Sequence, residues 1–140
     1  MTRRLLVPLT DSEHAWPALE HALEFFPDAT ITVLTVVDPA GAGYGQRSEE
    51  GKDGTPTSAD AGVDRLFEEA IDRAEEQGVT IETTVAEGRP ARTIVEVAER
   101  AAVDQIVVGI QDHSGISRVL LGSVAETVAK RSPVSVTIVK

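Results

Sequence analysis

With no cysteine among its 140 residues, the chain must draw any chemistry from histidine, hydroxyl and carboxylate side chains and from glycine-bearing turns. Disulfide frameworks, thiolate metal sites and cysteine nucleophiles are excluded. His14 and His21 stand seven apart in one helical stretch, and His113 lies far along the chain. None has the i, i+4 spacing or carboxylate company of a zinc site, so they read as solvent-facing imidazoles and no metal centre is expected. Gly41, Gly43 and Gly45 suggest a dinucleotide fingerprint, but GxGxxG would need glycine at Gln46, and no helix opens from this stretch. The chain has no Walker A lysine motif, no GxSxG elbow and no HxGH signature, so no catalytic residue is assigned and an enzyme is not expected.

The elements that would position these residues alternate. Arg4–Pro8 is a short apolar run leading into Thr10 and Glu13, which have capping-box spacing, with Ser12 as a competing cap. Trp16, Leu19, Leu23 and Phe26 then share a helix face, and Pro17 fits only in the first turn. Thr30–Val37 is β-branched and nearly continuous in apolarity, as a strand covered on both faces would be. Residues 38–58 are rich in Gly, Pro, Ser and charge without any period, and read as a lid or a disordered loop.

Val63, Leu66, Phe67, Ala70, Ile71 and Ala74 recur as one face of a helix ending at Gly78. Val79–Ala86 is a third strand, and Gly88-Arg89-Pro90 turns into a helix whose Ala91, Ile94, Val95, Ala98 and Ala101 face inward. Asp104–Gly109 is a fourth strand. Gly122-Ser123 opens a last helix, with Ser123 and Glu126 at capping-box spacing, and Val134, Val136 and Ile138 alternate with Ser135 and Thr137 in a fifth strand. Strands alternating with helices call for an α/β fold, a parallel sheet with helices on both faces. Ligands in such sheets sit beyond the carboxyl ends of strands where the strand order reverses. Periodicity does not fix that order.

Length and charge set further bounds. A chain of this length buries about 68–70 % of its unfolded surface, so residues 1–140 are expected to form one domain without a structural metal. The formal charge is 13 − 23 = −10, with ten arginines and three lysines that form no basic stripe in the sequence, which disfavours nucleic acid and anionic membranes as partners. A carboxylate excess with few lysines fits adaptation to high salt as well as ordinary acidic solubility. The apolar runs are strand-length and the N-terminus lacks an h-region, so a soluble cytoplasmic protein is expected.

The C-terminal third, DQIVVGIQDHSGISRVLLGSVAETVAKRSPVSVTIV, resembles the universal stress protein family, with the VVG, SGISR, LLGSVAE and SPVSV blocks in order. The likeness extends to LLVPLTDSEHAWPALEHAL, LTVVD and EGRPARTIVEVAERAAVDQIVVG, and so across the chain. It implies an open five-stranded parallel sheet in the order 3-2-1-4-5, Rossmann-like and similar to the adenine nucleotide alpha hydrolases. It also implies a regulatory, stress-responsive dimer, formed through strand 134–139.

One branch of that family binds ATP through a G-x2-G-x9-G-[ST] pattern, whose glycines and helix N-terminus let amide groups approach phosphates. Here Gly109 and Gly122-Ser123 fit the frame, but Asp112 stands at the second glycine. Asp112 adds a Cβ and a negative charge, unless Mg²⁺ bridges it to phosphate. The family's Pro-x-Asp becomes Pro8-Leu9-Thr10, with Asp11 displaced by one. The resemblance implies that Pro8 and Thr10 border the site, Val36 offers backbone to adenine, Val108 and Gly109 floor it, and Gly122, Ser123 and Val124 hold phosphate. Arg118 could add positive charge there, and His113 only when protonated, since at neutral pH it is mostly uncharged. Each position also has a structural reading: Gly109 as a tight strand exit, Ser123 as a cap, Val36 and Val108 as core. ATP or AMP in a β1/β4 crevice is therefore weighed against an interaction protein that keeps only the fold and the dimer.

Overall fold

The computed structural model describes residues 2–9, 15–37, 58–110 and 123–140. Five strands, β1 (Arg4–Pro8), β2 (Thr30–Val37), β3 (Ile81–Glu87), β4 (Gln105–Gly109) and β5 (Ser135–Val139), form one sheet in the order β3-β2-β1-β4-β5. Every neighbouring pair runs parallel. Among the described residues four helices connect them: α1 (Trp16–Phe25), α2 (Ser58–Glu76), α3 (Pro90–Arg100) and α4 (Ser123–Arg131). This is the expected α/β fold, and the expected strand order.

Alternation along the central strands builds two cores. Leu5, Val7, Ile31, Val33 and Val107 point to one face, where Leu19 and Leu23 of α1 and Leu66, Ala70 and Ala74 of α2 cover them. Leu6, Leu34, Ile106 and Val108 point to the other, beneath Ile94, Val97 and Ala98 of α3 and Ala125 and Val128 of α4. Because β1 is apolar on both sides, Leu5, Leu6 and Val7 are all fully buried. That is the signature of a central parallel strand.

Local signals decide most element boundaries. Gly78 follows α2 at φ 74°, the left-handed region that glycine enters without a Cβ penalty. Pro90 occupies the start of α3, where a missing N–H costs nothing. Gly88, at φ 143°, lies so close to Thr93 that a Cβ there would collide with the threonine hydroxyl.

Arg73 fastens α1 to α2. Its guanidinium lies 4.3 Å from the Trp16 ring centre and donates to Glu20 at 2.8 Å and to Glu69 at 2.7 Å. Burial would lower its pKa, but the bonds to Glu69 and Glu20 outweigh that and raise it.

Several boundaries and faces differ from expectation. Ser58 lies in helix α2, not in the preceding loop, and β3 begins at Ile81, not Val79. Ile71 is exposed, because the buried stripe of α2 follows Leu66, Ala70 and Ala74. On α3 the buried stripe is Thr93, Ile94, Val97 and Ala98, so Val95 is only half-buried. His21 does not face solvent freely; its ring centre lies 4.7 Å from that of Phe25, with the two planes tilted by 45°. Helix α1 is capped at Ala15 without a side-chain hydrogen bond. The capping candidates Thr10, Ser12 and Glu13 lie outside the described residues, as do His14 and the stretch 38–57. Among the described residues, no helix is long and apolar enough to cross a membrane.

Candidate functional site

The strand order reverses between β1 and β4, and there the hydrogen-bonded pairing ends early. The β1–β4 ladder runs through Leu5↔Gln105 and Leu6↔Ile106 and stops, although both strands continue. By contrast β1 stays in register with β2 to Pro8↔Leu34, and Leu9 N–H then donates to Leu34 C=O at 2.8 Å. On the outer side of β4, pairing with β5 holds to Gly109↔Val139, and Ile110 N–H donates to Val139 C=O at 2.9 Å.

Pro8 accounts for the early end of the ladder. A strand with two parallel neighbours bonds to them with alternate residues. In β1 the odd residues serve β2, since Arg3 C=O accepts from Thr30 and Leu9 N–H reaches Leu34. The even ones serve β4, since Arg4 C=O accepts from Asp104 N–H and Arg4 N–H donates to the Asp104 carboxylate. Pro8 is even, so its missing N–H is the donor that would have continued the ladder to β4. Beyond that point the ladder bonds of β1 are to β2 and those of β4 are to β5.

Where they are described, the resemblance-derived residues lie on β1, β2 and β4 and on the first turn of α4. Pro8 is half-buried at the end of β1, and Gly109 is half-buried at the end of β4. Val36 on β2 and Val108 on β4 flank β1 and belong to the same face, the one covered by α3 and α4. Ser123 and Val124 are exposed on the first turn of α4, which covers that face. Thr10, Gly122, Asp112, His113 and Arg118 lie outside the described residues.

A second feature adjoins the cleft. Ser123 and Val124 also line an open groove of about 590 Å³ shared with the first turn of α3, where Arg89, Pro90 and Arg92 stand, and with Arg131 at the end of α4. Sequence reasoning passed over these arginines, because 89 and 92 are distant from 131 in the chain. The available signal was the Gly-Arg-Pro turn, which seats Arg89 at the helix cap and Arg92 in the first turn, on the same side. Among the described residues, no group of three His, Asp or Glu side chains could hold a metal ion.

Comparison with known proteins agrees with this architecture. The model of the universal stress protein family matches residues 1–140. Universal stress protein MJ0531 of Methanocaldococcus jannaschii is 35% identical over 147 aligned positions, covering 99% of this chain and 82% of that protein. The solved structure of hypothetical protein MJ0577, from the same organism, has a TM-score of 0.78 at 27% identity, covering 100% of this chain and 96% of its own. A universal stress protein solved in complex with cAMP gives a TM-score of 0.70 at 28% identity, covering 99% of this chain and 97% of its own. With both the strand order and the whole sequence matched, the chain belongs to the universal stress protein family.

Proposed function

We propose that this chain is a regulatory stress-response module that binds an adenine nucleotide, ATP or AMP, in the cleft between β1 and β4. The observation that carries the reading is the end of the β1–β4 ladder at Leu6 and Ile106, at the switch point where ligands of such sheets sit. In this reading Val36 and Val108 flank the base, Pro8 and Thr10 border the cleft, and Gly109 lets backbone approach the ligand. Gly122, Ser123 and Val124 hold phosphate with the amides of the α4 N-terminus. The relative solved with cAMP supports an adenine ligand. Mg²⁺ enters with the phosphates, and Asp112 is the carboxylate placed by sequence to share it.

Calorimetric titration of ATP, AMP and cAMP into nucleotide-stripped protein, with and without Mg²⁺, tests the reading. Saturable ATP binding by wild type that depends on Mg²⁺, a dependence lost in Asp112→Gly, is the expected result. Absence of binding in both proteins would remove it. Binding by Asp112→Gly alone would favour the second reading, an interaction protein that has lost its ligand, to which Asp112 and Thr10 both point.

We further infer a homodimer through β5. It ends the strand order, and its sequence SVTIV carries no charge, whereas the opposite edge strand β3 is guarded by Glu82 and Glu87. Light scattering that gives a monomer at micromolar concentration would sink this assignment.

A further inference from the structure

The groove between α3 and α4 reverses the sign of the chain's charge. The sequence carries 23 carboxylates against 13 lysines and arginines, yet the described residues lining this groove include Arg89, Arg92 and Arg131 and no carboxylate. Arg92 pairs with Glu96 at 3.5 Å, with both side chains largely exposed, an arrangement that water screens and that holds the guanidinium weakly. Arg89 and Arg131 make no ion pair among the described residues. Three like charges around one groove repel one another within a Debye length of about 8 Å, and an anion seated between them relieves that repulsion. Guanidinium forks bond phosphate oxygens two at a time, and the hydroxyls of Ser123 and Thr127 supply further donors along the wall.

We propose that this groove binds an oligophosphate chain, with Arg89, Arg92 and Arg131 holding its non-bridging oxygens. A single small anion would engage only part of a groove of about 590 Å³, whereas a multiply charged chain spans arginines contributed by two helices. Because Ser123 and Val124 belong to both the groove and the β1/β4 site, the chain is either the tail of the bound nucleotide or a free inorganic oligophosphate. Only the first source rests on the nucleotide reading.

Calorimetric titration of inorganic triphosphate, ATP and adenosine into wild type, Arg89→Gln/Arg92→Gln and Arg131→Gln tests the proposal, with thermal unfolding confirming that each variant is folded. Each arginine removed is expected to weaken binding of the phosphate-bearing probe about tenfold, the loss of a charge-assisted hydrogen bond, and to leave adenosine unaffected. Sensitivity confined to ATP identifies the nucleotide tail as the occupant. Sensitivity to triphosphate, with ATP no tighter and adenosine silent, keeps the groove and defeats the nucleotide reading. Phosphate affinities equal in all three proteins, or no phosphate binding by wild type, overturn the proposal.

Discussion

Strand β1 treats its two neighbours differently. Toward β2 it stays in register to Pro8 and then adds the Leu9-to-Leu34 hydrogen bond; toward β4 it is paired only through Leu6. The side chains give no hint of this, because Leu5, Leu6 and Val7 are buried alike on both faces. The difference lies in the backbone, in which residues can donate and to which side. One strand can thus serve as a core element along most of its length and as the lip of a cleft at its end.

The contrast breaks most severely at Leu6, the last residue of β1 paired with β4 and fully buried under α3 and α4. Leu6→Ala is expected to cost about 2–5 kcal/mol, the usual range for a buried leucine that leaves a partly collapsed cavity. Urea denaturation checks this, and a loss under 1 kcal/mol would mean that this core face repacks freely. Gly88 tests the closed side, where its N–H donates to Val37 C=O at 3.0 Å just past the β2–β3 ladder. Gly88→Ala adds a Cβ against Thr93 at a backbone angle L-residues rarely adopt, for an expected cost of about 1–3 kcal/mol. Adding Thr93→Ala should recover part of that loss, since the collision goes and the backbone strain stays. Full recovery would show that the dihedral itself costs nothing.

The fold was legible because its signals are local and periodic. TITVLTVV could only be a strand covered twice, Gly78 could only be a helix end, and Pro90 could only sit in a first turn. Strand order was not legible from period, since a 2-residue alternation says which face a residue takes and nothing of its neighbour; it came from the resemblance. Misread faces were those where a hydrophobic residue lies at the edge of a stripe, as with Ile71, or where a buried polar one interrupts it, as with Thr93. The candidate site was read from a resemblance, and of its residues Pro8, Val36, Val108 and Gly109 lie in the last two positions of their strands. The arginine groove was not legible, because it depends on the first turn of α3 meeting one face of α4 in space. Pro8 was noted as a border of the site, but its action on the sheet required knowing which neighbour its absent N–H faces.

Pro8→Ala sharpens the comparison with the least effect on stability. The variant supplies an N–H on the β4 side, where a further ladder bond would contribute about 0.5–1.5 kcal/mol. It also frees the unfolded chain, which costs about 0.4–1 kcal/mol, so the two changes nearly cancel and the unfolding midpoint should hardly move. Local readouts should respond instead. Hydrogen exchange should show the new amide at position 8 protected along with that of Leu6, and ATP affinity should fall as the strands draw together at the mouth of the cleft. If the new amide exchanges as freely as an exposed one, the strands part for another reason, the half-buried glycine at the end of β4 being the first place to look. If the amide is protected and affinity holds, the ligand does not use the gap between the strands, and its recognition belongs to the α4 side of the site.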